Sequence, residues 1–141
     1  MTKDVLLKNS LEGFVNWLQV GAFLLFLAVA LGAFGAHGLE KVFDAKQLDV
    51  WQKAVNYMVI HGLAILFVSG LLWKFSQLSR DWKIALWSFL LGVLLFSGSL
   101  ILWALTAIKW LVFLTPIGGS LFLLGWVWLF FSAKKITNLE V

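Results

Sequence analysis

Four stretches of this chain are apolar over about the length that crosses a bilayer. They run from Trp17 to Ala36, broken only by Gln19, from about Ala54 to Trp73, from Ile84 to Leu105, and from Pro116 to about Ser132, where Lys134 and Lys135 end the pattern. A helix rising 1.5 Å per residue needs roughly 20 such residues to span a hydrocarbon core about 30 Å thick. The pattern therefore predicts an all-α protein: an integral membrane four-helix transmembrane bundle, one domain over 1–141 with spans at about 17–36, 54–73, 84–105 and 116–132. The first run follows Lys3 and Lys8 as a secretory signal would, but its 20 residues exceed a signal core and three spans follow, so it reads as a permanent helix.

The connections differ in polarity. Residues 37–53 form the only substantial polar connection, with Glu40, Asp44 and Asp49 balanced by Lys41, Lys46 and Lys53. Within it, Asp44 followed by Gln47 resembles a helix start, because an aspartate side chain can accept from the exposed backbone N–H groups of the first turn. The second helix is then expected to begin ahead of its span and to run about 29 residues, roughly 43 Å. The other distal connection, "TAIKWLVFLT" over Thr106–Thr115, has Lys109 as its only charge, so it is expected to stay in the headgroup zone. Thr115 and Pro116 read as N-cap and first residue of the fourth helix, since proline lacks only a donor that the first turn leaves unpaired.

Composition agrees with the pattern and narrows it. At 62% hydrophobic and 13% charged residues, with mean hydropathy +0.95, the chain is too apolar for a soluble domain. Its net charge of +4 comes from dispersed lysines and arginines, without the basic, aromatic-interleaved groove of a nucleic-acid binder. Cysteine is absent, so disulfides, thiolate nucleophiles and cysteine metal sites are excluded. With four spans, Lys3, Lys8, Lys74, Arg80, Lys83, Lys134 and Lys135 share one face and Lys41, Lys46, Lys53 and Lys109 the other. That asymmetry predicts both termini on the cytoplasmic side. Tryptophans 17, 51, 73, 82 and 110 fall near span ends, as an aromatic belt requires.

Small residues supply the expected helix contacts. Ala28, Gly32 and Ala36 are spaced by four with Gly35 beside them, and Gly92 and Gly98 mark a comparable surface on the third helix. In lipid such rows matter because apolar burial alone does not drive helices together. Two histidines and a tyrosine are the candidate functional polar groups. Tyr57 and His61 lie one turn apart inside the second span, where a titratable group is a functional hypothesis by default; a structural polar contact is the competing reading. His37 ends the first helix, where water and the helix dipole would both satisfy it. Paired haem ligation by His37 and His61 meets a depth difference of roughly 10 Å along the helix. Thr115, Gly118 and Gly119 with Lys109 form a candidate site for a lipid headgroup or other anion at a helix start. No span contains an acid, and no nucleophile elbow, phosphate loop or acid pair is present, so catalytic residues, metal and cofactor are all expected to be absent.

The blocks "GAFGAHGL" (Gly32–Leu39), "WQKAVNYMVIHGLAIL" (Trp51–Leu66), "LFSGSL" (Leu95–Leu100) and "TPIGGSLFLLGW" (Thr115–Trp126) together resemble the family called domain of unknown function 423, whose eukaryotic relatives are named transmembrane protein 256. The resemblance extends from about Val15 to Phe131 and implies a small multi-span inner-membrane protein without an established activity. The expected function is a non-enzymatic scaffold or accessory subunit that binds membrane lipids, a second copy or a larger membrane complex. A conduit or carrier using Tyr57 and His61 is the alternative, and a haem-binding electron carrier is a weaker one.

Overall fold

The computed structural model describes residues 3–138; residues 1–2 and 139–141, the ends of the single domain read above, lie outside the described residues. Four long helices make up the chain: α1 (Lys3–Phe34), α2 (Ala45–Lys74), α3 (Ser79–Thr106) and α4 (Leu114–Lys134). Each belongs to a stretch of 29 to 31 residues long and apolar enough to cross a membrane. They alternate in direction, so both described ends and the α2–α3 turn share one end of the bundle, here the terminal end. The α1–α2 and α3–α4 connections form the distal end.

Local chemistry explains the boundaries. Asp44 accepts the Gln47 backbone N–H at 2.7 Å, as expected for a helix start there, and the Gln47 side chain in turn accepts the Asp44 N–H at 3.0 Å, which makes the cap reciprocal. The resulting α2 has 30 residues, about 45 Å, so its first turns project beyond the apolar stretch. The same Gln47 donates to the Ala104 carbonyl at 2.9 Å, fastening the start of α2 to the end of α3. α3 ends at Ala107, whose left-handed backbone (φ 56°) reverses the chain into a short 3₁₀ helix at Lys109–Phe113.

The start of α4 differs from expectation. The 3₁₀ helix runs directly into α4 at Leu114, with Phe113 in the capping position and no side-chain cap. Thr115 and Pro116 are the second and third helical residues, not N-cap and first. The proline is still tolerated because the first-turn N–H groups have no carbonyl within the helix to receive them.

α2 and α3 form the centre. Half of the membrane stretch of α2 is buried and 39% of that of α3, against 22% for α1 and for α4. The adjacent residues Gly62 and His61 point about 100° apart round α2. Gly62 lies against Leu25 of α1 and His61 lies against Phe122 and Trp126 of α4. The outer helices therefore flank opposite sides of the α2–α3 pair and make no extended contact with each other among the described residues. α1 packs on α2 and α4 on α3, with α2 and α3 packed on each other.

Tryptophans at span ends divide into two kinds. Trp73 and Trp110 are exposed, as a belt requires, whereas Trp51 and Trp82 are 2% and 0% exposed and Trp17 is also buried. Trp82 donates to the Phe75 carbonyl at 3.1 Å and pins the α2–α3 turn. Trp51 donates to the Leu31 carbonyl at 2.9 Å and pins α1 to α2. Belt and clasp place a tryptophan at the same depth, so position along the chain does not separate them.

Candidate functional site

His61 is the centre of the one polar network that joins helices at mid-membrane among the described residues. It is 3% exposed. Its Nδ1 lies 2.9 Å from the Tyr57 carbonyl and its Nε2 accepts the Trp126 indole N–H at 3.2 Å. An acceptor at Nε2 and a carbonyl at Nδ1 together assign the neutral imidazole with its proton on Nδ1. The ring stacks on Phe122 at 3.5 Å and 7°, and the Phe89 ring lies 5.5 Å from it. His61 is thus a fastening between α2 and α4. Both ring nitrogens are engaged in this arrangement.

Tyr57 takes part through both its backbone and its ring, which lies 6.0 Å from that of His61 and within 18° of parallel. Its backbone carbonyl is the acceptor, and its half-exposed ring continues the stack, 4.5 Å from Phe96 and 5.9 Å from Phe122. Trp126 is the residue that sequence reading missed. It lies 65 positions away on α4, and only the packing of α4 across the α2–α3 pair brings its indole to His61.

Glycines create the close approaches that support this network. A Cβ on Gly118 would collide with the Phe96 backbone nitrogen, and one on Gly92 would lie 2.5 Å from the Phe122 ring. Gly125 lies equally close under Phe89. Gly118 therefore serves helix packing rather than the anion site proposed for it, and Gly119 is in ordinary contact with Phe96. Thr115 is occupied as well, its hydroxyl 2.9 Å from that of Ser99 on α3. Of the anion candidates only Lys109 remains exposed and available.

On α1 the expected row needs correction at one end. Ala28 is buried and Gly32 meets Val55, but Ala36 is exposed. A spacing of four drifts about 40° per step round a helix of 3.6 residues per turn, so the third member leaves the face. Gly35 closes it instead: a Cβ there would lie 2.6 Å from the Trp51 indole nitrogen that reaches Leu31. The closest crossing of α1 and α2 lies elsewhere, at Gly21 and Gly62, where a Cβ on Gly21 would be 3.1 Å from the Gly62 carbonyl. Trp17, Gly21, Leu24, Ala28, Gly35 and Leu39 are buried at near-helical spacing, a row that a search for small residues alone passes over.

Gly98 is also corrected, since a Cβ built on it meets nothing within 4 Å. Its neighbours differ from it: Ser99 bonds Thr115, and Ser97 is fully buried with its hydroxyl unpartnered. His37 lies in the wider π turn Gly35–Leu39 that ends α1, exposed at the distal end and remote in role from His61. Among the described residues no three histidine, cysteine, aspartate or glutamate side chains gather as a metal site would need.

Residues 31–119 match the family described as protein of unknown function, DUF423. The chain is 45% identical over 122 residues to a UPF0382 membrane protein of Staphylococcus haemolyticus, covering 86% of this chain and 98% of the relative. It is 39% identical over 124 residues to a UPF0382 membrane protein of Haemophilus influenzae (88% and 98% covered), and 40% identical over 119 residues to UPF0382 membrane protein YwdK of Bacillus subtilis (84% and 96%). No solved structure matches the chain.

Proposed function

The chain belongs to the DUF423 family of membrane proteins, and we propose that within it this protein acts as a non-enzymatic scaffold or accessory subunit that binds lipid or a larger membrane complex. One observation carries the reading: the mid-membrane histidine is consumed by bundle closure, through the Tyr57 carbonyl at one nitrogen and Trp126 at the other. A carrier or proton conduit at this position needs a titratable group that changes partners, and none of the spans holds an acid to take its place. What the bundle offers to partners is its outside, where large apolar side chains such as Phe26, Phe67 and Phe130 cover the membrane stretches. In this reading the membrane is the inner membrane and both termini are cytoplasmic, supported by the greater number of lysines and arginines at the terminal end.

Native mass spectrometry of the protein extracted in mild detergent from its own membrane tests the proposal. The expected result is a particle carrying lipid, a second copy or another membrane protein. A strictly monomeric, lipid-free and partner-free particle overturns it.

A further inference from the structure

The distal end carries a groove between the start of α2, the end of α3 and the 3₁₀ helix at Lys109–Phe113. Its volume is about 480 Å³, within the range of small-molecule sites, and Lys46, Val50, Leu100, Trp103, Lys109 and Val112 line it. Three devices already described shape its walls: the Asp44–Gln47 cap that sets where α2 begins, the Gln47 bond to Ala104, and the left-handed turn at Ala107, itself a lining residue. The floor is apolar and the charge at its rim is wholly positive. The Lys46 ammonium is 5.4 Å above the Trp103 ring, which steadies it over the groove. Ion pairs among the described residues are Lys53–Asp49 and Lys135–Asp81, so neither Lys46 nor Lys109 has an acidic partner there. Asp44, two residues from Lys46, has its carboxylate on the Gln47 N–H.

We propose that this groove binds one anionic phospholipid, its phosphate between Lys46 and Lys109 and an acyl chain along Val50, Leu100 and Val112. The inference rests on the accessory reading above and names the ligand class and its site. Charge complementarity selects the occupant: two unpaired cations call for an anion, while the apolar floor at the bilayer surface calls for one that carries a hydrocarbon chain. A free phosphate would satisfy only the first.

The test uses the full chain equilibrated with mixed phosphatidylglycerol and phosphatidylcholine micelles, with retained lipid read by native mass spectrometry. Wild type is expected to retain one phosphatidylglycerol in preference to phosphatidylcholine. K46Q/K109Q should weaken that retention roughly thirtyfold. V50W, which fills the groove and keeps both charges, should weaken it too, whereas K41Q/K53Q should leave it unchanged. Equal loss in K41Q/K53Q, equal retention of the two lipids, or displacement of the lipid by inorganic phosphate alone each overturns the site. If the wild-type protein carries lipid that is indifferent to Lys46 and Lys109, this site fails and the accessory reading stands. If it comes from its own membrane with neither lipid nor partner, the accessory reading itself fails.

Discussion

His61 and the pair Lys46 and Lys109 are polar groups of one bundle with opposite circumstances. His61 sits at mid-membrane with both nitrogens engaged and its ring stacked on Phe122; the lysines stand at the distal rim, exposed, without an acidic partner among the described residues. The difference follows from solvent. A polar atom in hydrocarbon has no water to bond, so the fold must supply its partner, and the partner then becomes part of what holds the helices together. At the interface water and headgroups satisfy a charge, so an unpaired lysine costs the fold little and stays available to a ligand. Rarity of a titratable residue in a span is therefore matched here by a structural contact.

Substitutions that pull the two regions apart rank by what each must displace. Gly118→Ala should have the largest effect, because its Cβ meets the Phe96 backbone, which cannot rotate away as a side chain can. A loss of about 2–3 kcal/mol is expected, measured by thermal or denaturant unfolding in detergent, together with separation of Trp126 from His61. An unchanged melting curve would mean that α3 and α4 are not in the contact described.

His61→Phe should cost less, about 1–2 kcal/mol, since the phenyl ring keeps the stack on Phe122 and leaves only the Trp126 N–H unpaired. The double variant H61F/W126F should recover part of that loss, and a double-mutant cycle should return a coupling of about 0.6–1.7 kcal/mol, the range for hydrogen bonds between membrane helices. Zero coupling would remove the bond between them. Gly35→Ala should cost about 1 kcal/mol by displacing the Trp51 indole from the Leu31 carbonyl, and it should add little in a W51F background.

Ser97→Ala marks the small end of the scale and reverses the sign. Its buried hydroxyl has no partner, so removal should be neutral or stabilise by about 0.5 kcal/mol in the same unfolding assay; clear destabilisation would reveal a partner for that hydroxyl.

Sequence by itself determined the helices, because their cause is local: apolar length against the thickness of hydrocarbon, and an aspartate at position 44 able to cap the first turn of α2. It also singled out His61 and Tyr57, since polar residues in a span are few. Which partner each would take was beyond it. Trp126 and His61 meet across 65 residues, and Trp51 and Trp82 are clasps at depths where lipid-facing tryptophans also occur. Residues at one depth are alike to a hydropathy pattern and differ only by which way round the helix they face. Tertiary structure settled that angle, setting α1 and α4 on opposite flanks of the α2–α3 pair. The same packing turned Gly118 from an anion candidate into a packing surface, and it brought Lys46 and Lys109, 63 positions apart in sequence, to the rim of one groove.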